Sequence, residues 1–326
     1  MLPALTAATD LLNPSGSGFT ETRSASRLFW ERFREDKVAL VATGVIVLLI
    51  LIAIFGGPLA ARLTGHPNDE QYQNLMQDSF GLPKGPNSQF LFGSDGEARD
   101  LLVRTMYGAR TSLIVGVVAS GIAVLIALVV GLVAGYFRGF VDTTLSRVGD
   151  VMLAMPQLLI SIGIVAACSS NKDGCVIYGP IAIQPGIALV ICVIVIFSWP
   201  YIARIVRGFT LSIREKEFVE ASRSLGAGDF RIIFREILPN LIGPIIVYTT
   251  LLIPQSILFE AALSYLGLGV PPDVASWGGL LNDAQRFYDT AWWLMLFPGL
   301  FLVITTLAFN LLGDGLRDAL DVRGDR

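Results

Sequence analysis

The sequence predicts an all-α polytopic membrane protein with six transmembrane helices, and three observations carry that prediction. Of the 326 residues, 53% are hydrophobic and 16% charged, with a mean hydropathy of +0.63, which leaves too little polar surface to wrap a soluble globule. Six uncharged runs, 38–61, 111–137, 151–171, 174–203, 237–259 and 290–313, each reach at least 21 residues, and about 20 helical residues cross the hydrocarbon of a bilayer. Lys and Arg are also distributed unevenly. With the N-terminus inside, 17 of the 24 fall on inner segments and seven on outer ones, the bias that sets orientation. Six spans then place both termini in the cytoplasm, as in a multi-pass protein of the cell membrane.

Several function classes are excluded by composition. The net charge of −3 gives no basic footprint for nucleic acid. None of Lys37, Lys84, Lys172 and Lys216 follows a glycine, so no Walker A loop can be written. His66 is the only histidine, which leaves no material for a His-based metal site or catalytic triad. In its polar loop it is expected to be solvated. No catalytic residue and no metal ligand set is assigned.

In chain order, residues 1–37 read as a cytoplasmic tail. A Ser-, Thr-, Ala- and Gly-rich stretch leads into a basic and aromatic segment from Arg27 to Lys37, expected as a short interfacial helix. The first span, 38–61, is followed by an external region, 62–110, rich in Pro, Gly and Asn. Its last part, 95–110, carries charges that suit an amphipathic approach helix at the outer surface. A core of five further spans fills 111–313, and 314–326 form a second cytoplasmic tail. In the second span Ala119, Ala123, Ala127, Gly131 and Gly135 recur every fourth residue, a small-residue face on which another helix can pack closely. Pro156, Pro200, Pro244, Pro254 and Pro298 interrupt later spans.

Cys168 and Cys175 flank the short outer loop between the third and fourth runs. In an oxidising exterior they are a disulfide candidate, with two free thiols as the alternative. Polar groups inside spans are costly and usually face a partner or a cavity. They are Gln157, Gln184, Ser198, Tyr248, Thr249, Gln255, Glu260 and Asn310, of which Gln157, Tyr248, Gln255 and Glu260 are the pathway candidates. Glu260 either meets a solute or gates a pore, or else it pairs with an arginine or caps backbone donors.

The stretch 204–239 holds seven of the 24 basic residues between two long uncharged runs, so it sits in water and faces something. Phe218, Ala221 and Leu225 recur at helical spacing. Gly226-Ala227-Gly228 stops that helix, and Asp229 is placed to cap the next. Phe230, Ile233, Phe234, Ile237 and Leu238 then form an apolar stripe, with Arg231 and Arg235 opposite and Pro239 marking a kink. On periodicity alone this is a helix–break–helix elbow lying on the membrane surface.

Glu220-Ala-Ser, Gly226 and Leu238-Pro239 resemble the "EAA" loop of ABC importer permeases, with Ser222 where a second Ala is commoner. Other segments resemble the same family, in particular the second permease subunit of dipeptide, oligopeptide and nickel importers. They are Phe29-Trp-Glu-Arg-Phe-Arg34, Phe92-Gly-Ser-Asp95 with Arg99-Asp100, Tyr107-Gly-Ala-Arg-Thr-Ser-Leu113, Leu263-Ser-Tyr-Leu-Gly-Leu-Gly-Val-Pro-Pro272 and Asn310 to Asp321. Two departures are Ala98 where the family usually has Gly and Val322 where it often has Pro. The resemblance implies a type I ABC permease core forming half of a translocation pathway for di- or oligopeptides. It implies a heterodimer with a related permease subunit, two cytoplasmic ATPase subunits that bind ATP and Mg, an external substrate-binding protein, and no cofactor in this chain. Glu220, with Ala221 beside it, and Gly226 are the ATPase-coupling positions it carries over. Phe218, Leu225, Arg231 and Phe234 are added from helix geometry. Nickel chelates or another small solute are the alternative cargo. An ion-coupled secondary transporter and a membrane scaffold are the rival classes.

Overall fold

A computed structural model describes residues 25–170, 175–178, 181–183 and 186–320. Most of the N-terminal tail, Gln184, Val322 and the end of the C-terminal tail lie outside the described residues. Among the described residues five helices are long and apolar enough to cross a membrane, and six if one bent pair counts as a span. Helix α1 (Ala25–Glu35) precedes α2 (Lys37–Thr64), α3 (Leu101–Phe137), α4 (Gly139–Ala154) and α5 (Gln157–Ser170). Strands β1 (Cys175–Tyr178) and β2 (Ile181–Ile183) form an antiparallel hairpin before α6 (Ile187–Arg214). The chain continues through α7 (Glu217–Ser224), α8 (Asp229–Tyr265), α9 (Trp277–Ala284) and α10 (Trp293–Leu320).

The membrane core is all-α, and the hairpin is the one departure among the described residues. It occupies the start of the fourth uncharged run, where Val176, Ile177, Ile181 and Ile183 favour a pleated backbone. The run therefore becomes helical only at Ile187. A disulfide joins Cys168, near the end of α5, to Cys175 at the start of β1.

The third run is broken rather than straight. Met155 is extended, with φ −75° and ψ 136°, as the residue before a proline prefers. At Pro156 the axes of α4 and α5 turn by 85°. With 14 residues, α5 alone reaches about 21 Å, too short to cross.

Two π-helical segments, Ile52–Gly56 in α2 and Ile232–Ile237 in α8, each end two residues before a proline, Pro58 and Pro239. A proline has no N–H for the carbonyl four residues back. Those carbonyls belong to Ile54 and Arg235, inside the widened turns, where the backbone accommodates the lost bond.

α3 is the central pillar and shares its largest interface with α6. The predicted small-residue face does the packing: a Cβ on Gly131 would lie 2.7 Å from Val206 Cβ, and one on Gly135 2.7 Å from Thr210 Cβ. On α1, Phe29 stacks on Phe33 at 5.9 Å, and Phe33 packs with Ala39 and Ala319 at the ends of α2 and α10.

The region from 62 to 110 differs from its expected form. Residues 101–110 are the first three turns of α3, capped by Asp100, whose carboxylate accepts from Leu102 and Val103 N–H. Asp95, Arg99, Asp100 and Arg104 are buried, while Glu97 and Arg110 stay exposed. Arg99 Nε donates to Asp95 Oδ2 at 2.7 Å, and Arg104 donates to the carbonyls of Asp273 and Pro272 at 3.2 and 3.1 Å. Burial, and then the charge of Asp95, pushes the carboxyl of Asp283 above its ordinary range, against the pull of Arg99 and Arg104. His66 is not solvated either. Its Nδ1 lies 2.7 Å from Asp100 Oδ2, and its ring stacks on Phe90 at 4.2 Å. Tyr72 closes the same cluster, and its hydroxyl is pushed up to about 12 by burial and by its bond to Glu70.

Candidate functional site

The elbow is built from the end of α6, all of α7 and the start of α8. The φ of Gly226 is +84°, a left-handed conformation that costs a residue with a Cβ about 1–2 kcal/mol. Gly226 N–H returns to the carbonyl of Arg223 at 2.9 Å, and Ala227 N–H to that of Ser222 at 3.1 Å, so the turn satisfies the carbonyls that α7 leaves open. Asp229 is not the cap of α8. Gly228 holds that position, and the Asp229 carboxylate accepts from the hydroxyl of Tyr136 at 2.6 Å.

Tyr136 is the hub of the site. It is buried at the end of α3, and its backbone carbonyl accepts from Arg214 at the end of α6. The guanidinium groups of Arg214 and Arg223 lie 5.5 and 6.0 Å from its ring centre, within cation–π range. One side chain and its carbonyl thus tie α3 to α6, α7 and α8. Val219 of α7 is fully buried and joins Tyr136, Val206, Ile232, Ile233 and Ile237 in one apolar cluster.

That anchorage turns the other face of α7 outward. Phe218 and Leu225 are 42% and 89% exposed, and Glu220, Ala221 and Gly226 are exposed beside them. The expected coupling residues of α7 therefore share one free surface. Arg231 and Phe234 are also exposed. They lie on α8, where Phe230 and Phe234 border a groove against Leu128, Val129 and Val133 of α3. The predicted apolar stripe is also redistributed. Ile232, Ile233 and Ile237 are buried and the two phenylalanines exposed, because the π-helical turn shifts the angular phase of the side chains.

Two of the basic residues of α6, Arg204 and Arg207, face α4. Arg207 grips Asp142 through two nitrogens, and Arg204 donates to Asp150 at 2.6 Å. Arg138, between α3 and α4, pairs with Glu215. A cavity of about 200 Å3 lies between α3, α4 and α6, bounded by Gly131, Gly149, Trp199 and Pro200.

The four pathway candidates are not brought together. Tyr248 is half-buried and Gln255 exposed, and seven residues apart they share one face of α8. Gln157 is half-buried at the α4–α5 corner. Glu260 lies five residues beyond Gln255, roughly 140° round the helix at 3.6 residues per turn. It is fully buried, and it accepts from Ser112 Oγ at 3.0 Å and Ser264 Oγ at 2.7 Å. Ser112 Oγ accepts in turn from Trp277 N–H at 3.3 Å, and Ser264 Oγ from Val270 N–H at 3.2 Å. Of the roles open to Glu260, neither an arginine partner nor direct backbone capping is present among the described residues. The carboxylate joins α3, α8 and the loop before α9 through two serines.

A family model described as the binding-protein-dependent transport system inner membrane component matches residues 127–325. The chain belongs to this family. A second model, the N-terminal TM domain of oligopeptide transport permease C, matches residues 24–86 of the permease. The permease is 42% identical over 301 residues to the glutathione transport system permease protein GsiD of Escherichia coli O6:K15:H31 (strain 536 / UPEC), covering 92% of this chain and 91% of that one. The same identity and coverage hold for GsiD of Shigella boydii serotype 4 (strain Sb227) and of Salmonella paratyphi A (strain ATCC 9150 / SARB42). Its fold matches chains from inward-facing conformations of the MetNI methionine ABC transporter. The native crystal form gives a TM-score of 0.52 at 18% identity, over 65% of this chain and 94% of that chain. The SeMet soak form gives 0.54 at 19% identity, over 66% and 96%. The permease is thus a multi-pass inner-membrane component of an ABC import system.

Sequence reasoning missed Tyr136, which reads only as an aromatic at the end of an apolar run. It also missed the partners of Arg204 and Arg207. Asp142 and Asp150 fall between the second and third runs, and their spacing of eight residues hinted at a shared helix face. The departure at Ala98 has a local meaning. Its φ is +63° and it is fully buried, so this alanine holds a conformation that suits glycine. Ala98→Gly is expected to stabilise the purified permease by about 1 kcal/mol, read as a higher thermal unfolding midpoint in detergent.

Proposed function

We propose that this permease is one of two related membrane subunits of an ATP-driven importer of small peptides, and that the exposed face of α7 docks on a cytoplasmic ATPase. The observation that carries this reading is the construction of the elbow. Val219 and Tyr136 fasten α7 to three spanning helices, while Phe218, Glu220, Ala221, Leu225 and Gly226 are left facing outward. A surface that is apolar at its centre and fixed from behind can receive a push and pass it to the helices. ATP and Mg belong to the ATPases, and this chain needs no cofactor. An external binding protein delivers the solute.

The peptide cargo is favoured by the relatives, since glutathione is itself a tripeptide and the second family model is named for oligopeptide transport. Gln157, Tyr248 and Gln255 are assigned to the solute path; Glu260, enclosed by its serines, is not. Both termini and the elbow are placed in the cytoplasm.

The test is purification of the tagged chain from its native membrane, followed by reconstitution. Copurification of a second permease and of ATPase subunits, with ATP-dependent peptide uptake, is the expected result. Uptake by the purified chain alone, driven by an ion gradient, would overturn the reading. So would partners that copurify without any transport.

A further inference from the structure

The second half of the elbow carries an exposed apolar surface of its own. Phe230 and Phe234 are 74% and 49% exposed, and their rings pair at 4.3 Å. They form one wall of a groove of about 410 Å3, whose other wall is Leu128, Val129 and Val133 of α3. The lining is apolar except at one end, where the Asp229 carboxylate is occupied by Tyr136. The groove is continuous with the outward side of a spanning helix: Leu125 and Val129 are 64% and 63% exposed. In a membrane helix such a surface meets acyl chains.

Next to the phenylalanines the chemistry changes. Arg231 and Arg235 are exposed, four residues apart and so on neighbouring positions of the helix surface. Neither makes an ion pair among the described residues. Glu236 beside them is half-buried, and its backbone carbonyl accepts from Asn240. The groove is apolar, and each of its two phenylalanines is followed in the chain by an exposed guanidinium group, so two chemistries lie side by side at the end of a spanning helix. Hydrocarbon suits the first and a phosphate the second.

We propose that Phe230 and Phe234, together with Arg231 and Arg235, hold an anionic phospholipid against the elbow end of α3. The acyl chain lies between the two phenylalanines and α3, and the headgroup phosphate bonds the arginines. This assignment removes Arg231 and Phe234 from the ATPase contact and leaves that contact to α7. It rests on the chain spanning a membrane and not on the ATPase reading, so a failure of copurification would leave it standing. Its consequence is that the position of the elbow, pinned through Asp229 to Tyr136, depends on the lipid.

Two measurements test it. A photoreactive benzoylphenylalanine in place of Phe234, in the complete transporter in native membranes, is expected to give phospholipid adducts by mass spectrometry. Adducts to protein subunits alone would overturn the proposal in favour of protein docking. In the second, the purified complex is offered equimolar phosphatidylglycerol and phosphatidylcholine and the retained lipid is read by native mass spectrometry. The wild type is expected to keep the anionic lipid preferentially. Arg231→Gln and Arg235→Gln each reduce the preference by about fivefold. Both side chains are exposed, so the variants are expected to elute as the wild type does. An unchanged preference in the double variant would also overturn the proposal.

Discussion

Gly226→Pro is expected to remove ATP-driven uptake almost completely while the chain still inserts in the membrane at normal levels. The φ of +84° at Gly226 is closed to proline, whose ring holds φ near −65°. α7 must then leave Leu225 and Phe218 in new positions relative to Val219 and Tyr136. Losing a central docking contact costs about 2 kcal/mol or more, roughly thirtyfold in association. Insertion is spared because no atom of another element lies within 4 Å of a Cβ at this position, so nothing in the core is displaced. Glu220→Lys reverses a charge on the same exposed surface and is expected to act in the same direction with a smaller loss. Asn tolerates the left-handed conformation, so Gly226→Asn serves as the control that retains transport. Normal uptake by Gly226→Pro, at wild-type abundance, would remove α7 from the coupling role.

Gly135→Leu and Gly131→Leu are expected to damage the fold itself. A Cβ at Gly135 would sit 2.7 Å from Thr210 Cβ and 2.9 Å from the carbonyl oxygen of Arg207. At Gly131 it would meet Val206 Cβ at 2.7 Å and the carbonyl of Ala203 at 2.8 Å. Backbone atoms cannot swing aside, so α3 and α6 must separate, at a cost of about 1–3 kcal/mol for each site. The separation also pulls Arg214 away from the Tyr136 hub. Gly121 lies on the same helix with nothing within 4 Å of its Cβ, which makes Gly121→Leu the matched control. Thermal unfolding of the purified protein reads the difference. Equal midpoints for Gly121→Leu and Gly135→Leu would refute the claim that this contact sets the distance between the two helices.

Much of the architecture was legible because the signals are local. An uncharged run of 21 residues or more is visible without knowing its neighbours, and so is a small residue at every fourth position. Gly226 announces a helix stop by its own conformational freedom. Four features were hidden. Pro156 marked a break, but its 85° bend depends on how α4 packs on α6. Around Ile232–Ile237, the widened turn changed which side chains face inward, so a regular period misassigned Phe230 and Ile232. The other two are non-local contacts. His66 meets Asp100 across 34 residues, and Glu260 meets Ser112 across 148. Nothing in the immediate surroundings of either residue names its partner.

The corner at Pro156 has a mechanical consequence. α4 is bolted to α6 by Asp142 and Asp150, and α6 ends in the elbow, so the two helices move as one arm. α5 leaves that arm nearly at a right angle and is moored at its far end by the Cys168–Cys175 bond. Under the proposed coupling, a displacement of the arm along its length would reach α5 as rotation about the corner, which would make the proline joint a crank.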